Sequence, residues 1–284
     1  MRPRIVVASE AGACYGVERA LELVREAARG SEGPIYTLGP LIHNPQVVSR
    51  LERDGVGVVE DPAEAAGATL VLRTHGVTPA TERAAEAAGA AVIDATCPYV
   101  KKAHLAAERL CAEGYQVVIV GEKGHPEVEG TLGHAPGALV VADASELDGA
   151  EVSRRVGVVV QTTQTRACLS AVVGRLLDLA EEVRVVNTIC DATTERQRAA
   201  AKLASEADVV IVIGGRISAN TTHLAEICSE RCAATHHIET PDELRATWFE
   251  GASLVGVTAG ASTPREQIDE VTSAIARLCE GDGE

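Results

Sequence analysis

Aromatic residues and positive charge are both scarce in this chain. Phe, Trp and Tyr together make up 2% of the 284 residues, which argues against a surface that stacks the bases of single-stranded nucleic acid. The 26 Lys and Arg residues are outnumbered by 41 Asp and Glu residues, so the formal net charge is −15. Such a charge repels nucleic acid and anionic membrane surfaces. We therefore expect neither as a partner, and any anionic ligand must be held by local groups.

Long apolar runs are absent as well. No stretch approaches the ~18 apolar residues of a membrane-spanning helix, and no apolar leader with a small-residue cleavage site is visible. Linkers rich in Gly, Ser or Pro are also lacking. The sequence predicts a cytoplasmic protein. Eight cysteines in such a chain indicate metal binding or catalysis by some thiols rather than disulfides.

One pattern occurs three times along the chain. A short β-branched run leads to a cysteine in a loop, and a helical pattern begins directly behind it, at Cys14, Cys97 and Cys190. Two further strands follow each cysteine, and each of these strands ends in a polar loop. The polar residues of these loops are, in chain order, His43, His75, His125, Glu127, Thr162, Ser218, Asn220 and Ser262. The repetition indicates three diverged copies of one supersecondary unit.

The alternation of strands and helices predicts an α/β fold with mostly parallel sheets. We predict three small α/β units in a pseudo-threefold arrangement: residues 15–97, 98–190 and 191–284, with residues 1–14 packing with the third. The polar loops fall where a strand ends and a helix begins. Ligands bind at this edge of an open parallel sheet, and the free N–H groups of the helix N-termini attract anions.

Each cysteine taken singly is more often a small buried apolar residue than a ligand. Three cysteines at equivalent positions reverse that expectation. Their thiolates can bind zinc with one open coordination position, or three irons of a 4Fe-4S cluster whose fourth iron stays open. The remaining cysteines lie in helical patterns and are predicted to be structural: Cys111, Cys168, Cys228, Cys232 and Cys279. Among them the pair Cys228 and Cys232, one helical turn apart, is a weaker metal candidate.

Histidines at helix starts are as often capping or packing residues as ligands. His43, His75 and His125, however, occupy equivalent loops of the repeat. A nearby diphosphate would raise the pKa of an imidazole, because opposite charge favours the protonated form. The hydroxyl and amide groups of the other loops are neutral donors that suit phosphate oxygens.

Glu127 allows two interpretations. It follows His125 and Pro126 in the first turn of a predicted helix, where a carboxylate interacts favourably with the helix dipole. An acid beside an anion site is also a natural proton donor. Its position in this loop favours the proton donor.

The motifs resemble those of one enzyme family over nearly the whole chain. They are the Cys14 loop followed by Gly16-Val17, LIHN at 41–44, THGV at 74–77, DATCP at 94–98, HPEVEG at 125–130, QTT at 161–163, CDATTERQ at 190–197 and TAGAS at 258–262. The family is that of the 4-hydroxy-3-methylbut-2-enyl diphosphate reductases, which complete the non-mevalonate isoprenoid pathway. Its fold of three α/β domains around a central iron–sulfur cluster agrees with the repeat.

The resemblance implies a role for each candidate residue. By this likeness a 4Fe-4S cluster with one open iron site is held by Cys14, Cys97 and Cys190. The diphosphate would be bound by His43, His75, His125, Ser218, Asn220 and Ser262. Proton delivery and the substrate hydroxyl would be served by Glu127 and Thr162. The implied reaction is the reductive dehydroxylation of an allylic diphosphate, with electrons from a ferredoxin or flavodoxin.

Three positions depart from the family pattern. Ala219 stands where a second serine is frequent, and Ala13 and Tyr15 flank Cys14 where other residues are more familiar. These departures leave open a paralogue with altered substrate tolerance. Two other functions are compatible with a three-cysteine cluster: a non-redox hydro-lyase that needs no electron donor, and a non-catalytic redox sensor that ignores diphosphates.

Overall fold

The computed structural model describes residues 2–31 and 33–280, so residues 281–284 of the predicted third unit lie outside it. The strands are β1 (Arg4–Val7), β2 (Ile35–Leu38), β3 (Val56–Val59), β4 (Thr69–Leu72), β5 (Ala91–Asp94), β6 (Gln116–Val120), β7 (Leu139–Val141), β8 (Arg155–Val160), β9 (Glu182–Val185), β10 (Val209–Ile213), β11 (Thr235–Ile238) and β12 (Leu254–Ala259). The α-helices are α1 (Tyr15–Gly30), α2 (Pro45–Arg53), α3 (Pro79–Ala87), α4 (Pro98–Ala112), α5 (Pro126–His134), α6 (Arg166–Leu179), α7 (Asp191–Ala204), α8 (Ala219–Ser229) and α9 (Arg265–Glu280). Short 3-10 helices are Pro62–Ala65, Ala144–Leu147, Pro241–Glu243 and Ala246–Phe249.

The strands form three four-stranded sheets, and every pairing within them is parallel. Their orders are β3-β2-β4-β5, β7-β6-β8-β9 and β11-β10-β12-β1. The three orders are the same once β1 is placed as the last strand of the third sheet. The predicted α/β class with parallel sheets is therefore confirmed, and the internal repeat is visible as repeated topology.

The chain forms two compact units. The first comprises residues 1–15, 43–45 and 191–284 and contains the sheet of β11, β10, β12 and β1. The second comprises residues 16–42 and 46–190 and contains the other two sheets. The finer division into three units of 15–97, 98–190 and 191–284 stays a prediction.

Apolar side chains explain why these elements form. The strand β10 reads VVIVI and is buried at every position, as expected for a parallel strand covered by helices on both faces. In α1 the residues Val17, Ala20, Leu21 and Val24 are buried, which confirms the apolar face that their spacing predicts. Among the described residues, no helix is long and apolar enough to cross a membrane.

The sequence misplaces the end of one helix. Its pattern predicts a helix from Arg166 to about Glu182, whereas α6 ends at Leu179. The reason lies in the sheet, because Glu182 already pairs with Arg155 as the first residue of β9. The Glu182 carboxylate also accepts hydrogen bonds from the Arg155 guanidinium and the Tyr115 hydroxyl. Sheet pairing thus overrides the local helical pattern.

Two central strands carry a glycine under a helix. A Cβ atom built on Gly157 of β8 would lie 2.9 Å from both methyl carbons of Leu110 in α4. One built on Gly256 of β12 would lie 2.9 Å from Cγ of Leu203 in α7. Because interiors are packed at crystal-like density, even one methyl group has no room there. These glycines let α4 and α7, the helices behind Cys97 and Cys190, lie close to their sheets.

Replacing Gly157 by alanine is therefore expected to destabilise the protein. The added methyl group overlaps Leu110, and overpacking of this kind costs roughly 1 to 3 kcal/mol. The matched control is Gly174→Ala in α6, where no atom lies within 4 Å of the new methyl group. That change should stabilise the protein by up to ~1 kcal/mol, since alanine favours helix. Urea unfolding measures both, and equal effects of the two variants would contradict the packing argument.

Candidate functional site

The three repeat cysteines have the same backbone environment. Each follows the last strand of its sheet and precedes a helix, so that β1, β5 and β9 lead to Cys14, Cys97 and Cys190. Each cysteine N–H donates to a carbonyl in the loop after the neighbouring strand. The hydrogen bonds are Cys14 N to Ala261 O (3.1 Å), Cys97 N to Thr74 O (3.0 Å) and Cys190 N to Thr162 O (3.2 Å). All three residues are partly exposed.

The other cysteines have different surroundings. Cys228 and Cys232 are buried in an apolar cluster with Leu224 and Val212. Burial raises the pKa of Cys228 to about 11, which favours the neutral thiol over the thiolate that binds metals. Burial likewise raises the pKa of Cys168, whose thiol donates to the carbonyl oxygen of Ala142. These surroundings favour a structural role.

The candidate residues are distributed over both compact units. The first unit contains Cys14, His43, Ser218, Asn220 and Ser262. The second contains Cys97, Cys190, His75, His125, Glu127 and Thr162.

In the second unit, His75 and His125 lie edge to face, with ring centroids 5.7 Å apart. His125 is the N-cap of α5, and its Nδ1 atom accepts the Glu127 N–H at 3.1 Å. A nitrogen that accepts a hydrogen bond carries no proton, so the neutral ring has its proton on Nε2. His125 can therefore offer an Nε2–H group to an anion while it still caps the helix.

Thr162 links Glu127 to one of the repeat cysteines. The Thr162 N–H donates to Glu127 Oε1 at 2.6 Å, and the Thr162 hydroxyl donates to Oε2 at 2.8 Å. The Thr162 carbonyl accepts the N–H of Cys190. One residue thus fixes the position of the carboxyl group and that of the Cys190 backbone.

The Glu127 carboxyl group is buried, with 2% of the residue exposed. Burial raises its pKa to about 7 by penalising the charged form, although the two hydrogen bonds from Thr162 act in the opposite direction. A carboxyl group with such a pKa retains its proton in about half of the molecules at neutral pH. It can therefore donate a proton, which a carboxylate of ordinary pKa at a helix start cannot do.

In the first unit, Asn220 is a buried polar residue that lies near Gly260. It is 4% exposed, and within the described part of the chain neither its Nδ2 nor its Oδ1 atom has a hydrogen-bond partner. Such groups are costly to bury unless a ligand or water completes them. A Cβ atom on Gly260 would overlap Thr221 Oγ1 and lie 3.5 Å from Asn220 Nδ2, while one on Gly215 would lie 2.7 Å from the His43 carbonyl oxygen. At both positions the neighbouring atoms are too close for any side chain, so only glycine fits.

Ser218 and Ser262 are two further polar residues of the first unit. Ser218 is the N-cap of α8, where its Oγ atom accepts the Thr221 N–H. The Ser262 hydroxyl donates to the carbonyl oxygen of His43 at 3.1 Å. Ser218, Asn220 and Ser262 are all buried polar residues at the carboxyl edge of a parallel sheet, where ligands bind.

The sequence does not reveal the role of two residues in this region, Asn44 and Gln267. Asn44 stands directly before Pro45 at a helix start, a position that predicts only an N-cap. In the structure its side-chain nitrogen donates to the Ser262 carbonyl at 2.9 Å and to Gln267 Oε1 at 3.1 Å. Gln267 has no recognisable role in the sequence. The one available signal is that Asn44 follows His43 within the LIHN motif.

Comparisons with known proteins cover almost the entire chain. The family model described as LytB protein matches residues 5–276. The 4-hydroxy-3-methylbut-2-enyl diphosphate reductase of Aquifex aeolicus is 47% identical over 98% of this chain and 97% of the relative. The enzyme of the same name from Geobacter sulfurreducens is 51% identical over 95% of this chain and 96% of the relative.

Solved structures give the same result. A structure of (E)-4-hydroxy-3-methyl-but-2-enyl diphosphate reductase, described as the terminal enzyme of the non-mevalonate pathway, is 46% identical with a TM-score of 0.71 and covers 98% of this chain and all of that chain. The E-1-hydroxy-2-methyl-but-2-enyl-4-diphosphate reductase from Plasmodium falciparum is 28% identical with a TM-score of 0.92 and covers 96% of this chain and 88% of that chain. The chain belongs to the LytB family of 4-hydroxy-3-methylbut-2-enyl diphosphate reductases.

Proposed function

We propose that this chain converts (E)-4-hydroxy-3-methylbut-2-enyl diphosphate to isopentenyl diphosphate and dimethylallyl diphosphate. The reaction breaks the C–O bond of the allylic alcohol, consumes two electrons and two protons, and releases water. Family membership supports the substrate. The observation within the structure that carries the proposal is the buried Glu127 carboxyl group, bonded to Thr162 and able to supply one of these protons.

Cys14, Cys97 and Cys190 would hold a 4Fe-4S cluster with one iron left open. Three partly exposed thiols at helix starts, with matching backbone hydrogen bonds, fit as its ligands. Among the described residues no group of His, Cys, Asp and Glu side chains is spaced to hold a metal ion. A four-iron cluster is wider than one ion, so its ligands lie farther apart. When bound, the cluster would supply electrons one at a time and a Lewis-acidic iron for the substrate hydroxyl.

The diphosphate would be bound by His43, His75, His125, Ser218, Asn220 and Ser262. The support is strongest for Asn220, because within the described residues both polar atoms of its buried amide need hydrogen-bond partners. An Nε2–H group on His125 adds a donor. Ser262 would have to rotate its hydroxyl hydrogen from the His43 carbonyl to a phosphate oxygen.

Glu127 would protonate the hydroxyl that leaves. Hydroxide is a poor leaving group, so a proton must reach the oxygen as the C–O bond breaks. The raised pKa keeps a proton on Glu127 near neutral pH, and both bonds from Thr162 fix the direction of the carboxyl group. The Thr162 hydroxyl would contact the substrate hydroxyl. It would thereby connect the proton donor Glu127 to the oxygen that leaves.

The electron donor, the location and the division into three units are also part of this proposal. A ferredoxin or flavodoxin would deliver the electrons, since the reaction needs a one-electron donor twice. The net charge of −15 supports a cytoplasmic location. The shared strand order of the three sheets supports the division into units of 15–97, 98–190 and 191–284.

The cluster assignment predicts a contrast between two cysteines. Protein purified without oxygen is expected to show the broad charge-transfer absorption of an iron–sulfur cluster. Cys190→Ser should abolish this absorption, because a serine hydroxyl is a poor substitute for a thiolate. Cys168→Ser should keep it, since Cys168 lies partly buried against Ala142. A full iron complement in the Cys190→Ser protein would remove Cys190 from the ligand set.

Turnover of Glu127→Gln tests the function itself. The reaction is followed anaerobically with a chemical reductant in excess. If the unaltered protein forms product only when the reductant is present, it is a reductase and not a hydro-lyase. Glutamine preserves the shape and still accepts the Thr162 N–H with its amide oxygen, while its amide nitrogen donates to the Thr162 hydroxyl where the carboxylate accepts from it. It has no acidic proton to give. The rate should fall roughly 10²- to 10⁴-fold, with substrate affinity within about threefold. Near-normal turnover would show that the proton comes from another group.

Glu127 should also make stability depend on pH. Its pKa is raised from 4.5 to about 7 on folding, so between these values the folded state holds more protons than the unfolded state. Stability conferred by the protonated form is therefore lost as the pH rises through this window. Relative to Glu127→Gln, the unaltered protein should lose on the order of 3 kcal/mol between pH 4.5 and 7. Urea unfolding at a series of pH values measures this, and parallel curves for both proteins would mean that folding does not raise the pKa of Glu127.

A further inference from the structure

We propose that Asn44 is a positioning residue that holds the segment of His43 against the segment of Ser262 by hydrogen bonds. The hydrogen bonds of Asn44 to Ser262 and Gln267 are called the clasp below. This inference rests on the proposed diphosphate binding and deepens it. The side chain of Asn44 is 2% exposed. Its Nδ2 atom donates to the Ser262 carbonyl oxygen at 2.9 Å and to Gln267 Oε1 at 3.1 Å. An amide nitrogen carries two hydrogens, and each of them has one acceptor here.

The neighbours of Gln267 determine which way both amides point. Gln267 Nε2 donates to the carbonyl oxygen of Glu239 at 2.7 Å, directly after β11. Because that partner can only accept, the oxygen of the Gln267 amide must face Asn44. Asn44 must then present its nitrogen. A chain of hydrogen bonds therefore runs from Asn44 through Gln267 to the end of a strand.

The same two segments are joined a second time by the Ser262 hydroxyl. That hydroxyl donates to the His43 carbonyl oxygen. A hydroxyl has one hydrogen, so it cannot serve His43 and a phosphate oxygen at once. When a diphosphate takes this hydrogen, the bond from Ser262 to His43 is lost. The bond from Asn44 to Ser262 uses the backbone carbonyl and survives.

The clasp also affects the close contact between the His43 carbonyl and Gly215. The His43 carbonyl lies so close to Gly215 that a Cβ atom there would be 2.7 Å away. Gly215 belongs to the loop that leads from β10 to α8, which carries Asn220. Asn44 thus sets the spacing between three proposed phosphate donors, at His43, Asn220 and Ser262. Its contribution is expected in substrate affinity and not in the chemical step.

The test compares variants of the cluster-containing protein under anaerobic conditions. Asn44→Leu has nearly the same shape but no donor, and Gln267→Leu removes one acceptor at a greater distance from the substrate. Thr272→Val is the control, because it removes a hydrogen bond to Ile268 from the same helix outside the clasp.

Asn44→Leu should raise KM for the substrate about tenfold, and Gln267→Leu about threefold, the scale of one or two hydrogen bonds. In both variants kcat and the cluster absorption should stay within about twofold. Inhibition by inorganic diphosphate should weaken in the same ratio as KM rises. Thr272→Val should match the unaltered protein.

A purely structural role gives a different result. A partly misfolded population lowers kcat and leaves KM unchanged, and that outcome for Gln267→Leu would overturn the proposal even if Asn44→Leu fails to fold. Suppose that KM is unchanged in both variants, while the unaltered protein turns over the substrate and His43→Ala raises KM. This result would reject the clasp but not the proposed function. If the unaltered protein neither turns over the substrate nor binds diphosphate, the proposed function fails and the clasp fails with it.

Discussion

The hydrogen bond from each repeat cysteine to the neighbouring loop is the constraint on which the site depends. In each sheet the strand that leads to the cysteine lies beside a strand that ends in a polar loop: β5 beside β4, β9 beside β8 and β1 beside β12. Parallel strands end at the same edge, so this order places a thiol next to polar groups in every copy. The order of the strands, more than any single side chain, determines which residues become neighbours.

A chain with a net charge of −15 must bind a diphosphate with little help from basic residues. The proposed site does so mainly with neutral groups. Hydroxyl and amide donors at helix starts direct partial positive charge at the ligand, and the helix dipole acts in the same direction. The buried Glu127 would oppose binding if it were fully ionised. Its raised pKa removes part of that negative charge where the substrate would bring more.

The sequence predicts the repeated topology because buried parallel strands are continuous runs of β-branched residues such as VVIVI, and because glycine and polar loops separate them. It does not predict the contact of Asn44 with Ser262, since these residues are 218 positions apart and no periodic pattern links them. The end of α6 is missed for a related reason. A helical pattern describes neighbours along the chain, whereas the pairing of β9 with β8 depends on residues that lie far away in sequence.

In the proposed function, proton delivery and cluster ligation would depend on one another through Thr162. Its N–H and hydroxyl bind the two oxygens of Glu127, and its carbonyl accepts the Cys190 N–H. A shift of this one residue would move the carboxyl group and the Cys190 backbone together. In the proposed reaction, the substrate hydroxyl would need both the proton donor Glu127 and the cluster held by Cys190, so the separation of these two residues matters more than the exact position of either. The three hydrogen bonds of Thr162 fix that separation within the second compact unit. Loss of the Thr162 hydroxyl alone would leave the two backbone hydrogen bonds, to Glu127 and Cys190, in place.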